Sequence, residues 1–262
     1  MELKYYQIDA FTSKVFGGNY AGVIVLDEPL NAQTMQLIAM ENNVSETAFL
    51  TRLGIGNYAI RWFSPLQEID FCGHATLASA FVLFEQNPEK NTLCFQTSTV
   101  GDIEVKKLPC GKIEMSFPNR KPWPIKVPEG LVDALACKPE LVLQNQQAII
   151  CVVDSVETLK SLTPDFNALK AFAPLDVCVT TKGEQYDFES RYFWPANGGE
   201  EDPVTGSMHA GLAPFWAEQL NKTALMAYQG GSRGGIIYCS VEDETVFVSG
   251  YATKYLEGTL FI

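Results

Sequence analysis

Positive charge is scarce in this chain: 19 Lys and Arg stand against 31 Asp and Glu among 262 residues, a formal net charge of −12. Holding a phosphate backbone takes clustered basic side chains that release counterions. Here they are scattered, so nucleic acid is excluded as a partner. The nearest thing to a mixed charged stretch, KVPEGLVDALACKPE at 126–140, reads as solvated surface. Histidine is rarer still, only His74 and His209, and neither has a Cys or carboxylate arrangement at ligand spacing. No metal is therefore expected. The seven cysteines, at 72, 94, 110, 137, 151, 178 and 239, are odd in number and contain no CxxC pair, which reads as reduced thiols rather than a disulfide framework. No apolar run approaches the ~18 residues of a membrane span. The opening MELKYYQIDAFTSK lacks the basic-then-apolar layout of a secretory signal, so a cytoplasmic protein without a membrane partner is expected. Nor is there a nucleotide loop: SRGGII at 232–237 and VFGGN at 15–19 lack its strand, glycine and helix layout.

What is present is apolar and strand-rich. Hydrophobic residues make up 47% and charged residues 19%, the balance of a chain that buries a core. Short β-branched and aromatic segments separated by Gly, Pro or Asn fill 1–118, and a second set follows PNRKPWPIKVPEG, whose four prolines between 118 and 128 mark a linker. Two segments, GHATLASAFVLFEQ at 73–86 and GSMHAGLAPFWAEQ at 206–219, have helical spacing and are apolar almost all round. Such a helix must be enclosed on every side, and both are too short for a membrane, so a β-sheet wrapped around each is expected. Pro214 should remove one hydrogen bond from the second helix and bend it.

The two helices align at one offset: Gly73 with Gly206, Ala80 with Ala213 and Glu85 with Glu218, all 133 apart, while upstream FSP at 63–65 resembles FWP at 193–195 with a three-residue insertion. An internal duplication accounts for this, and chance likeness of two Ala- and Gly-rich segments is the alternative. Duplication predicts an α/β (α+β) fold of two similar barrel-like β domains, 1–118 and 119–262, each wrapped around a central apolar helix, with the C-terminal strand able to cross back to the first.

Duplicated domains commonly hold a ligand in the crevice between them, and helix N-termini pointing there would suit a small carboxylate. In GEEDPVTGSMHA, Asp202 reads either as a helix-start carboxylate or as a functional acid; Thr205 or Ser207 could cap the helix alone, and Glu200 and Glu201 read as solvated. Glu46 opens the strand TAFLTR after Asn42, Asn43 and Ser45, which suit a helix-ending turn. His74 follows Gly73 at a helix start, where the partial positive charge predicts a neutral imidazole. His209 reads as a hydrogen-bonded core residue, and Asn19 lies on a turn that could reach the cleft.

In order and spacing, DAFTSKVFGGNYAGV, ENNVSETAFL, FCGHATLASA and EDPVTGSMHAGLAPFW run through nearly the whole chain. Together they resemble the phenazine-biosynthesis PhzF family, which is similar in fold to diaminopimelate epimerase. The resemblance implies a cofactor-independent, homodimeric isomerase acting on a small carboxylate-bearing substrate. Glu46 would be the general acid/base, with His74, Asp202 and Ser207 as catalytic partners and Asn19, Cys72, Gly73, Thr205 and Gly206 lining the substrate. Tyr20 departs from the family's common Pro after the GGN turn. Two rivals remain. Cys72 and Thr205 precede the two helix-start glycines as thiols do in proline racemase-like enzymes, which would fit a one-sided dehydratase on a hydroxyproline-like substrate. A non-catalytic small-molecule binder of the same fold is the other.

Overall fold

The computed structural model describes residues 1–231 and 233–262. Ser232, the first residue of SRGGII, lies outside them. The chain divides into two compact units, Met1–Ser116 with Ser249–Ile262, and Phe117–Val248.

In the first unit the strands run in the order Ala252–Phe261, Glu2–Ala10, Asn19–Leu26, Glu46–Gly54, Asn57–Phe63, Thr92–Gln96 and Asp102–Lys107. They alternate antiparallel and parallel from Glu2–Ala10 onward, and the short strand Glu68–Ile69 adds to Asn57–Phe63. Helix Gly73–Gln86 packs against strands Asn19–Leu26, Glu2–Ala10 and Glu46–Gly54, and eleven of its fourteen residues are buried. Two of its buried hydroxyls are satisfied within the helix: Thr76 and Ser79 donate to the carbonyls of Cys72 and Ala75 four residues back. On another face of the sheet, helix Ala32–Asn42 buries Met35, Ile38 and Ala39 against Leu3, Tyr5, Ile24, Phe49 and Phe63. That helix escaped the sequence reading apart from its terminal Asn pair.

The second unit repeats the pattern. Leu141–Gln144, Ala148–Val152, Asp176–Lys182, Phe188–Phe193, Ala224–Gln229 and Gly235–Glu242 follow the same succession of antiparallel and parallel ladders. Glu201–Asp202 adds to Phe188–Phe193 as Glu68–Ile69 does to Asn57–Phe63, with Phe63 opposite Glu68 and Phe193 opposite Glu201. Two barrel-like β units, each built around an apolar helix, are the fold.

Three expectations need correction. Residues 206–208 form a 3-10 turn and the α-helix runs His209–Leu220. The stretch 126–140 is not all solvated surface: Leu131–Leu135 is a helix whose Leu131, Ala134 and Leu135 enter the core with Val142, Val179 and Phe193. Glu201 is not solvated either, since it holds the Arg191 guanidinium in a two-pronged pair at 2.7 and 2.9 Å, with the two side chains 20% and 14% exposed. Pro214 does lie inside the second helix. The carbonyl its missing N–H would have served, that of Ala210, accepts from the Arg120 backbone N–H at 3.0 Å.

Two positions yield predictions. Gly18 has φ +62 and a Cβ there would lie 2.0 Å from the Ala10 carbonyl oxygen. Gly18→Ala should therefore destabilise the first unit by ~1 kcal/mol or more, read as a lower urea midpoint; an unchanged midpoint would refute the clash.

His209 is fully buried, with Nδ1 3.0 Å from the Thr205 carbonyl and its ring stacked on Phe188. Burial pulls its pKa from 6.5 down to about 4. Between those values the unfolded chain binds the proton and the native one does not, so stability is present above the unfolded value and lost as pH falls through the folded one. The loss is about 3 kcal/mol. Urea unfolding at pH 7 and pH 4 should show it, and a His209→Gln variant with an equally steep decline would locate the cause elsewhere.

Candidate active site

Glu46 owes its place to the end of the preceding helix. Asn43 takes the left-handed conformation (φ 48, ψ 36) and donates its N–H to Ala39, turning the chain so that Val44 is buried and Glu46 pairs in parallel with Ala21. The Glu46 side chain is 5% exposed and its Oε2 lies 2.9 Å from His74 Nε2. His74 is the second residue of helix Gly73–Gln86, whose N-cap Cys72 offers no side-chain cap to the first-turn N–H groups. Asn19, at the start of its strand, places Nδ2 3.1 Å from His74 Nδ1, and the Ser45 hydroxyl donates to Asn19 Oδ1 at 3.2 Å. With the amide so turned, Nδ1 accepts and the ring proton sits on Nε2, the nitrogen that lies 2.9 Å from the Glu46 carboxylate.

The electrostatics overturn the expectation of a weakly basic imidazole. Burial pulls His74 down, Cys72 and Glu46 pull it up, and the net direction is well above its ordinary range. Cys72 is a neutral thiol at neutral pH, since burial above all pushes it up to about 11, so we ascribe the rise to the Glu46 carboxylate, which outweighs the helix start. When the ring takes a second proton, the Asn19 amide must present Oδ1 to Nδ1, and the Ser45 hydroxyl can then accept instead of donate.

The structure also brings a thiol and a carboxylate to His74, the thiol nearer Nδ1 and the carboxylate at Nε2. Cys72 Sγ lies 3.4 Å from Nδ1 and 3.8 Å from Nε2, and one ligand atom each from Glu46, Cys72 and His74 fall within 4.8 Å of one another. The carboxylate comes from a strand 28 residues away, where no local pattern could announce it.

In the second unit Asp202, Thr205 and Gln229 form one network. The Thr205 hydroxyl donates to Asp202 Oδ2 at 2.5 Å and accepts from Gln229 Nε2 at 3.1 Å, while Gln229 also receives the Thr205 backbone N–H and donates to the Asp202 carbonyl. Thr205 does not cap the turn that starts at Gly206. Ser207 instead joins a separate chain. Gln147 Nε2 donates to Ser207 Oγ at 3.1 Å and to the Tyr192 hydroxyl at 3.0 Å, and Tyr192 donates to Asp176 Oδ2 at 2.5 Å. This sequence of donors leaves the Ser207 hydroxyl hydrogen free to donate onward.

Gln147, Tyr192, Asp176 and Gln229 were all missed in the sequence. The repeat could have found one of them, because Asp176 opens its parallel ladder opposite Ala148 as Glu46 does opposite Ala21. Burial raises the Asp176 carboxyl above its ordinary value against the lowering effect of Tyr192 and Asn197.

None of the described helices is long and apolar enough to cross a membrane. The family model described as phenazine biosynthesis-like protein matches residues 8–258. An uncharacterized isomerase of Pseudomonas aeruginosa is 43% identical over 262 residues, covering all of both chains. A crystal structure of a phenazine biosynthesis PhzF-family protein from Enterococcus faecalis superposes with a TM-score of 0.96 at 42% identity, again over all of both chains. A hydroxyproline epimerase from Agrobacterium vitis shares the fold, with a TM-score of 0.62 at 11% identity over 99% of this chain and 92% of that one.

Proposed function

The chain belongs to the phenazine biosynthesis-like family, PhzC-PhzF, and from that premise we propose that it is an isomerase. In this reading it works without a cofactor, and Glu46 moves a proton on a small carboxylate-bearing substrate. Relatives that share 41–43% of its residues over nearly their whole length carry the name isomerase. The observation that carries the reading is the buried contact of Glu46 with His74 at 2.9 Å, beside a helix start that no side chain caps.

Each residue then has a task. Glu46 takes a proton from one substrate carbon and returns it to another, the exchange a positioned carboxylate can perform without a metal. His74 shares its proton with Glu46 and supplies positive charge beside the developing anion, and the N–H groups that begin at Gly73 add to it. Ser207 donates its hydroxyl hydrogen to the substrate, held in that sense by Gln147. Asp202, with Thr205 and Gly206, is assigned to substrate orientation on the strength of the family motif. Cys72 carries no thiolate to act as a base at neutral pH, because burial holds its thiol up at about 11, and the Thr205 hydroxyl is engaged with Asp202. Both points favour the carboxylate over a thiol-based dehydratase.

The test is isotopic. The protein is incubated in deuterated water with a panel of small cyclic and acyclic unsaturated carboxylic acids. Deuterium entering one carbon of a bound acid, with the double bond displaced, is the expected result. Acids that bind without any exchange would make the protein a binder and end the isomerase reading.

A further inference from the structure

Along strand Phe188–Phe193 the side chains alternate between the two faces of the sheet. Phe188 stacks on His209 of the central helix, so Glu189 and Arg191 share the opposite face. There a pocket of about 360 Å³ is lined by Lys160, Glu189, Arg191, Glu201 and Tyr228. Arg191 and Glu201 satisfy each other, and Arg191 gives further N–H groups to the Leu159 and Leu162 carbonyls. Glu189 is left over. It is 5% exposed, and among the described residues its carboxylate has neither a hydrogen-bond donor nor an ion-pair partner. Burying a charge without a partner is costly.

The duplication shows that the fold does not require this carboxylate. Arg61 and Glu68 repeat the two-pronged pair, and a pocket of about 560 Å³ lies beside them as well. Where the second unit sets Glu189 against Tyr228 across a parallel ladder, the first sets Ala59 against Gln96. The extra carboxylate and the aromatic ring thus occur together, in one copy only. They are the two groups that receive an organic cation: a carboxylate accepts N–H bonds, and a ring face attracts positive charge. One face of Tyr228 stacks on Tyr186 at 5.1 Å between centroids, which leaves the other for a ligand. Burial raises the Tyr228 hydroxyl above its ordinary value, with Tyr186 and Glu189 adding to the rise, so the ring carries no charge of its own. A hard metal ion would need several oxygen ligands, and those of Glu201 are engaged.

We propose that this pocket of the second unit binds a short-chain primary ammonium ion, the nitrogen donating to Glu189 and the first methylene groups lying against Tyr228. Lys160, exposed on helix Val156–Ser161 and part of the pocket wall, is the chain's own competitor for that carboxylate.

Butylammonium is the probe, titrated into the isotopically labelled full chain at constant ionic strength and followed by two-dimensional NMR, with butanol and butyrate as its uncharged and anionic counterparts. Saturable shifts centred on Glu189 and Tyr228 are expected for butylammonium and for neither counterpart. Glu189→Ala should weaken binding ~30-fold or more, the loss that follows truncation of a buried charge partner. Tyr228→Leu should weaken it ~3–30-fold, and Glu104→Gln, at an exposed carboxylate, should leave it unchanged. Circular dichroism checks that each variant is folded. No saturable shift in wild-type protein overturns the site, as do shifts centred elsewhere or undiminished binding to folded Glu189→Ala. Binding that appears only in Lys160→Met would make that lysine the occupant of the pocket and overturn the proposal too.

Discussion

Glu46→Gln should lower turnover by ~10²–10⁴-fold, the usual contribution of a positioned general acid or base, while leaving the fold intact. Glutamine keeps the shape of the side chain and puts an uncharged oxygen or nitrogen at the same 2.9 Å from His74 Nε2, so packing around strand Glu46–Gly54 is preserved. What it loses is the ability to hold a proton and give it back. The substitution also removes the charge that holds His74 above its ordinary range, so the imidazole of the variant should titrate lower, an effect visible by NMR even without substrate. Near-normal turnover on an acid identified by deuterium exchange would take the role away from Glu46.

The second large effect concerns stability. Arg191→Met should cost about 2–3 kcal/mol, somewhat less than the ~3–5 kcal/mol of breaking a fully buried ion pair, because the two side chains remain 14% and 20% exposed. The guanidinium is nearly enclosed, paired with both oxygens of Glu201 and donating to the carbonyls of Leu159 and Leu162. Its removal strands a carboxylate and two acceptors together. The duplication provides a control. Arg61 and Glu68 hold the corresponding positions of the first unit with the same two-pronged geometry at 2.7 Å, but their side chains are 36% and 39% exposed. Solvent screens that pair, and Arg61→Met should cost ~1 kcal/mol or less. Urea unfolding of both variants decides the matter. Equal losses would mean that burial is not what separates the two pairs. Adding Glu201→Leu to Arg191→Met should restore much of the loss, since an apolar pair has no charge to strand.

The same two pairs mark where one-dimensional reading stops. Glu201 and Glu68 occupy matching places in the repeat, yet nothing in GEEDPVTG tells that one carboxylate is enclosed and the other wet. Exposure depends on what covers the strand, and the cover over Arg191 includes the carbonyls of Leu159 and Leu162, some 30 residues away. Leu131–Leu135 was misjudged for a related reason: a five-residue helix is too short for its apolar face to stand out from the charges around it.

The amino-acid order by itself determined the enclosed helices, the repeat at offset 133, the start of a strand at Glu46 and the motif order that places the chain in its family. All of these follow from local periodicity and spacing, which the chain carries whether folded or not. Only the tertiary structure decided that Glu46, Cys72, His74 and Asn19 meet at one point, that the imidazole is pulled up rather than down, and that Ser207 is held as a donor by Gln147, Tyr192 and Asp176. Those outcomes depend on interactions that fall off within a few ångströms, between side chains brought together by parallel strand pairing across tens of residues, and linear spacing contains no such distances.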